Sequence, residues 1–498
     1  MRKFSGLIAL ALLAVAGTGY AVTCAYDNVP AATLLVPYFR VSRNGATSVA
    51  SNLPDLPNQI DTLVAVTNVS NTGVIVHVTV WNKYSVPVLD FNVPLTAFDV
   101  AFWRMRDILN GSLNVNPLTQ SGSISGDPCG INQSNGIYSP STGFGRATFI
   151  RFSNPNTTDA RASISRYGTP AFTGNFRRNV WDALDESGDV TNFASPGANV
   201  LDDDTACGDG VDGSFSGDFS GYVTIDVVNY CTNFFPDQAE YYTNDAIATR
   251  GWAVSGYTPN AIIGDVFYVD SNTANNNISG DQAVPLEFDG RLNWLADKTF
   301  YGRYNDILDT AVNAAVPERW RFIGDGREPL GNRYGFRYLS DSTLGLRSWA
   351  IVWRGDRYEQ STTTTLCDFW ATGGEFGTGL YDTLHALQAR TFDNDENEFV
   401  TGGGPSPGPG SFAIYVFLET QRIDLLNNGD INPGAFKGGY MDITFPGTVQ
   451  FNQTYVGIQH SGSSNNLLSV GHSATLLTNQ FICVPDDNYG GIPGNIVP

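Results

Sequence analysis

The chain has 498 residues, with 49 acidic and 28 basic side chains and a formal charge of −21, on a background that is 42% hydrophobic and 15% charged. An acid excess of this size repels phosphate backbones and anionic lipid, which argues against nucleic acid as a partner. The 12% aromatic content argues against a disordered chain, and 53 Gly with 25 Pro predict many turns.

Arg2 and Lys3 precede an apolar run over residues 7–16, and Gly19-Tyr20-Ala21 places small residues before a cleavage point. That pattern predicts a secretory signal peptide over residues 1–21. The run is about half the ~20 residues that a bilayer requires, so no transmembrane span is expected. A lipid anchor at Cys24 is the weaker alternative, because Ala21-Val22-Thr23 fits such a site poorly. Cleavage removes Arg2 and Lys3 and takes the charge to −23. The expected location is periplasmic, cell-surface or extracellular.

Six cysteines remain: Cys24, Cys129, Cys207, Cys231, Cys367 and Cys483. An even number in an exported chain predicts three disulfides, and no Cys-x-x-Cys spacing suggests metal or redox chemistry. Among the 15 connectivities possible for six Cys, the favoured one joins Cys207 to Cys231 across an acidic, Gly-rich loop and gives Cys483 to Cys24 or Cys367.

Period-two alternation dominates the chain. Residues 62–68 and 74–82 are β-branched runs around Ser70-Asn71-Thr72-Gly73, a pattern that predicts a hairpin. Strands are expected to continue over 86–95 and 100–105, with a helical turn over 106–110. Turn signals recurring at this spacing predict antiparallel β-sandwich domains, immunoglobulin-like or related, with few short helices. Further strands are expected over 146–152, 161–167, 221–229, 265–270, 333–339 and 348–354, then over 411–419, 439–445, 455–459 and 473–477. Helices are expected over 180–185, 306–316 and 380–390. The resulting division is an N-terminal sandwich over 22–111, a loop over 112–141 and a central β-rich domain over 142–360. An irregular insertion follows over 361–410, containing the Gly/Pro linker 402–410, and then a C-terminal β segment over 411–498.

The stretch TLVAVTNVSNTGVIVHVTVWNKYSVPVLDFNVPLTAFDVAFWRMRDILNG, followed in order by GYVTIDVVNYC, NAIIGDVFYVD, DGREPLGNRYGFRYL and AIVWR, resembles a group of uncharacterised exported bacterial proteins. The resemblance covers residues 30–355 and implies export and a β-rich architecture. It brings no activity with it.

Catalytic signatures fail one by one. The four histidines, His77, His385, His460 and His472, include no pair at i, i+4, which rules out a His-Glu-x-x-His zinc site. His77 sits mid-strand and reads as a satisfied core histidine. Gly471-His472-Ser473-Ala474-Thr475 opens like a nucleophile elbow but lacks its last Gly. The Gly-x-Gly-x-x-Gly match at residues 208–213 lies beside Asp202, Asp203 and Asp204, so no nucleotide is expected there.

Calcium is the one cofactor the acidity suggests. Asp393, Asp395 and Asn397 place oxygen side chains at loop positions 1, 3 and 5 of a calcium loop, although Glu398 replaces the Gly at position 6 and Gly404 replaces the Glu at position 12. Asp226, Asp265, Asp270, Glu287 and Glu328 are the carboxylates to consider for glycoside hydrolysis. Against that reading, Arg303, Arg327, Arg333, Arg337 and Arg354 offer structural ion pairs in the same region. Aromatics crowd the same stretch, namely Trp294, Phe300, Tyr301, Tyr304, Trp320, Tyr334, Phe336, Tyr338, Trp349 and Trp353. Exposed members of that set would stack on sugar rings.

Taken together, these patterns predict an exported, non-enzymatic surface, envelope or extracellular protein with a structural or interaction role. Its partner would be a protein or glycan at the cell surface. The alternatives are a secreted carbohydrate-binding or glycoside hydrolase-like protein and an outer-membrane β-barrel. Six Cys and a C-terminus without a terminal aromatic count against the barrel.

Overall fold

The computed structural model describes residues 22–23, 30–43, 53, 60–83, 87–110, 150–152, 162–165, 180–181, 184, 218–228, 236, 260–270, 277–287, 330, 332–341, 343, 345–356, 386–393, 398–399, 412–415, 420–424, 437–445, 452–462, 469–473, 475–476 and 484–485. Over these residues the fold is mainly β, built of antiparallel sheets with almost no helix.

The first pair of sheets is built from described strands that precede residue 290, together with one short helix. Its seven-stranded sheet runs in the order β12 (Val284–Glu287), β2 (Thr33–Val41), β9 (Phe219–Val228), β4 (Val74–Trp81), β5 (Pro87–Leu95), β8 (Ala162–Ser165) and β7 (Ile150–Phe152). The β5–β8 pairing is parallel. Its four-stranded sheet runs β11 (Asn277–Gln282), β10 (Ile262–Asp270), β3 (Ile60–Asn68) and β6 (Val100–Arg104).

Alternation along β4 turns Val74, Val76, Val78 and Val80 to one face. There they join Leu89, Phe91 and Val93 of β5 and Val223, Ile225 and Val227 of β9, all buried against Val64, Val66 and Val266 of the smaller sheet. Phe91 and Trp103 close this layer edge to face, with ring centroids 5.5 Å apart. The short helix α1 (Met105–Leu109) caps it, contributing Met105, Ile108 and Leu109 to the core. Val180, Trp181 and Leu184 are helical and buried, as the pattern over 180–185 predicts.

The second pair consists of a six-stranded and a four-stranded sheet. The former runs β16 (Glu398–Phe399), β15 (Ala386–Asp393), β19 (Gly438–Thr444), β13 (Arg333–Leu339) and β22 (Thr475–Leu476), with β17 (Phe412–Tyr415) also on β15. The latter runs β18 (Thr420–Asp424), β14 (Leu346–Asp356), β20 (Asn452–Gly462) and β21 (Ser469–Ser473). Tyr334, Phe336, Tyr338, Met441 and Ile443 from the first sheet meet Ala350, Val352, Ile423, Val456 and Ile458 from the second in a separate core. A two-residue ribbon pairs β1 (Val22–Thr23) with β23 (Val484–Pro485). Among the described residues no helix is long and apolar enough to cross a membrane.

Two expectations fail. Residues 62–68 and 74–82 form strands but no hairpin: β3 pairs with β10 and β6, whereas β4 pairs with β5 and β9. The turn carries the chain from one sheet to the other. Asn68 holds the crossing by donating from Nδ2 to the carbonyls of Thr72 (2.6 Å) and Thr96 (2.8 Å). Residues 386–390 of the expected helix 380–390 are part of β15. There Ala389 is buried, Arg390 exposed and Thr391 buried, a period-two pattern set by pairing with β19 and β17. Tertiary pairing overrides a propensity that favours helix only weakly.

The two sheet pairs touch closely. Tyr455 Oη donates to Asp281 Oδ2 (3.0 Å), Gln459 Nε2 to Ser279 Oγ (3.0 Å) and Thr420 Oγ1 to the Pro37 carbonyl (2.5 Å). Tyr222, stacked on Trp81, meets Trp353 edge to face at 5.9 Å. A Cβ on Gly471 would lie 2.5 Å from the Gly280 carbonyl oxygen, backbone against backbone. Gly471→Ala is therefore expected to cost about 1–3 kcal/mol and to loosen the junction. Gly73→Ala, whose Cβ would meet its nearest atom at 3.4 Å, is the control. A thermal melt with equal losses in both variants would contradict the close approach.

Candidate functional site

A narrow cleft opens between the two sheet pairs. From the first pair it is lined by Tyr38 and Arg40 on β2, Asp61 and Thr62 on β3, Tyr268 and Asp270 on β10, and Ser279 on β11. From the second come Trp349 on β14, Arg422 on β18, and Gln459 and His460 on β20. The β14–β20 and β14–β18 ladders set the register that brings the last four together, with Ser348 opposite His460, Trp349 opposite Gln459 and Ile351 opposite Arg422.

Most of these groups are held by internal bonds. The Arg422 guanidinium lies 4.1 Å from the centroid of the Trp349 ring, a cation–π contact. Tyr268 Oη donates to the Tyr38 carbonyl at 3.0 Å, and burial, reinforced by Asp281, pushes its phenol well above the usual tyrosine value. Ser348 Oγ lies 2.7 Å from His460 Nδ1 and also accepts from the Leu339 amide at 2.8 Å. Because Ser348 is 0% exposed, this pair orients the histidine and offers no accessible nucleophile.

The two cleft acids have different surroundings. Asp61 is 2% exposed and accepts from Arg104 Nε (3.0 Å) and from the Arg106 amide (3.2 Å), with Arg106 itself 1% exposed. Burial pushes the Asp61 carboxyl up, and the two guanidiniums pull it back only in part. Asp270 ends β10, opposite Ile60 in the ladder, whereas Asp61 is opposite Val269. The one-residue offset sends the two acids off opposite faces of the β3–β10 ladder. Arg40 forms an ion pair with Asp218 at 2.9 Å.

A second polar constellation lies on the far face of β4. The register aligns Thr33, Asp226, His77 and Asn92 across four strands, all buried, with Thr79 and Asp90 in the next row. Thr33 Oγ1 donates to Asp226 Oδ1 (2.9 Å), and His77 Nδ1 lies 3.0 Å from Asn92 Oδ1, which accepts. Burial lowers His77 to about 4, Asn92 offsetting part of the effect, so the ring is neutral near pH 7. Without exposure this row is a structural network.

The other sequence candidates divide clearly. Tyr334, Phe336, Tyr338 and Trp353 are core, and among the described residues of that set Trp349 reaches the cleft. Asp265 lies in the β3–β10 ladder opposite Ala65, its carboxyl raised by burial, and shares a strand with Asp270 on the opposite face. Arg333 pairs with Asp442 through two bonds, at 2.6 and 3.1 Å, as the ion-pair reading expects, and Arg337 is exposed. Glu287 ends β12 opposite Thr33, and Arg354 pairs with Thr454 in register. Asp393 ends β15 opposite Gly439. Asp395, Asn397, Glu328, Arg303, Arg327, Trp294, Phe300, Tyr301, Tyr304, Trp320 and His385 lie outside the described residues, as do all six cysteines and the 402–410 linker. Among the described residues no group of three or more His, Cys, Asp or Glu side chains could hold a metal.

Sequence reasoning does not single out Asp61, Arg422, Gln459 or Ser279. Asp61 carries the one usable signal, an acid inside the apolar run IDTLVAVTN. The chain matches no protein-family profile, no curated protein and no solved structure.

Proposed function

We propose that the protein is exported and works without catalysis, as a surface, envelope or extracellular protein with a structural or interaction role. In this reading its two sheet pairs are disulfide-bonded β-sandwiches of immunoglobulin-like or related type, and they meet to form one binding unit. The observation that carries the reading is the disposition of acids in the cleft. Glycoside hydrolysis needs two carboxyl groups facing one bond at about 5–9.5 Å, whereas Asp61 and Asp270 leave opposite faces of one ladder and Asp61 is committed to Arg104 and Arg106.

The carbohydrate-binding alternative gains support from the partly exposed Trp349 and Tyr268 beside a polar cleft. The outer-membrane barrel loses ground because apolar side chains of both sheet pairs turn inward onto two shared cores, the reverse of a lipid-facing apolar band around a polar lumen.

Cell fractionation of the native host, combined with a reducing-end assay on polysaccharides, tests the proposal. Recovery outside the inner membrane with no sugar release is expected. Recovery in the cytoplasm overturns export, and sugar release above background overturns the non-catalytic reading.

A further inference from the structure

We infer that Cys24 and Cys483 are joined by a disulfide, which ties the segment entering the first sheet pair to the segment leaving the second. This deepens the reading of the protein as exported and rests on it, because such a bond persists in an oxidising compartment. The sequence leaves Cys483 two partners, Cys24 and Cys367. The ribbon of β1 and β23 decides between them.

Its register pairs Val22 with Pro485 and Thr23 with Val484, and Cys24 and Cys483 each follow one residue beyond. In an antiparallel ladder a step forward on one strand is a step back on the other, so the next rung sets Cys24 opposite Cys483. Residues opposite each other share a face of the ladder.

Pro485 fixes the kind of rung. Proline has no amide hydrogen, so Val22 and Pro485 cannot exchange the two bonds of a hydrogen-bonded pair. Hydrogen-bonded and non-hydrogen-bonded rungs alternate. Thr23 and Val484 are therefore the hydrogen-bonded pair, and the rung of Cys24 and Cys483 is again non-hydrogen-bonded. At such a rung opposite Cα atoms stand about 4.5 Å apart with their side chains close, inside the ~4.4–6.8 Å that a disulfide spans.

A lipid is the competing fate for the Cys24 sulfur. Lipoprotein processing makes the lipidated cysteine the first residue, which here would remove Val22 and Thr23, the whole of β1. Cleavage after Ala21 leaves β1 complete.

The bond forms by thiol–disulfide exchange with an exported dithiol oxidase. One cysteine thiolate attacks the oxidase disulfide, giving a mixed disulfide and expelling the second oxidase sulfur as a thiolate. The other cysteine thiolate then attacks the bound cysteine sulfur and releases the oxidase as a dithiol. Two thiols are thus oxidised and one disulfide is reduced. The four remaining cysteines all lie between residues 24 and 483, so pairing in order of emergence would give Cys24 to Cys129. The Cys24–Cys483 bond is made or corrected by exchange once Cys483 has emerged.

Non-reducing peptide mapping by mass spectrometry tests the inference, on the full chain recovered from cells and on the full chain refolded in a glutathione redox buffer. A peptide holding Cys24 linked to one holding Cys483, separable by reduction, is expected in both. Cys24→Ser should release one thiol to maleimide, at Cys483, and Cys483→Ser should release one at Cys24. Cys483 linked to Cys367 or to any other cysteine overturns the inference, as does a lipid on Cys24 or a Cys483 thiol that stays protected in Cys24→Ser. Reduced cysteines in cells, together with retention of residues 1–21, overturn export instead, and the refolded chain then still decides the pairing.

Discussion

Asp61→Ala is expected to remove about 3–5 kcal/mol from the stability of the first sheet pair, the cost of leaving a buried charge uncompensated. Arg106 is the charge concerned. Its guanidinium is enclosed, donating from Nη2 to the Ser42 carbonyl (3.0 Å), Ser42 Oγ (3.1 Å) and the Ile60 carbonyl (3.1 Å), with Asp61 Oδ2 3.8 Å from Nε. Removing Asp61 also takes the acceptor from the Arg106 amide and from Arg104 Nε. Urea unfolding followed by tryptophan fluorescence measures the loss. The double variant Asp61→Leu, Arg106→Met should recover much of it, because a well-packed apolar pair removes the desolvation cost of both ions. A single variant as stable as the parent would show that the carboxylate is dispensable.

The pH dependence of stability should contain a step from His77. Burial holds its value in the folded state at about 4, against 6.5 for a histidine in water, so between these two pH values the unfolded chain binds the additional proton. Stability is therefore complete above about pH 6.5 and is lost as pH falls towards 4, by about 3 kcal/mol in all. Carboxylates elsewhere add their own acid sensitivity, so the informative quantity is a difference. Stability should fall less steeply over this window in His77→Gln than in the parent. Parallel curves for the two proteins would mean that His77 is not held neutral.

What sequence reveals in this chain is local. Valines at every second position of β4, and Phe336 and Tyr338 on either side of Arg337 in β13, announce strands because side-chain direction depends only on position along the chain. Partner choice is not encoded at that range. The Asn- and Gly-containing turn at 70–73 has the composition of a hairpin, yet β3 and β4 separate because Asn68 finds its partners in Thr72 and Thr96 and because β9 and β10, far along the chain, take the neighbouring positions. The candidate cleft is hidden for the same reason. Trp349 is visible as one aromatic in a crowd, but Asp61, Ser279, Arg422 and Gln459 come from four strands spread over some 400 residues. Only the contact of two sheet pairs gives them a common neighbourhood.

The position of β9 between β2 and β4 governs the order of events when the chain folds. Strands formed by residue 81 wait for a partner ending at residue 228, so the first core depends on contacts almost 200 residues apart. Topologies dominated by such distant pairings fold slowly, since loop closure precedes any gain from pairing. Until β9 arrives, the facing edges of β2 and β4 are open to strands of other chains. A chain arrested before residue 219 would thus be a nucleus for aggregation, and closure of this sheet becomes possible only once residue 228 has been made.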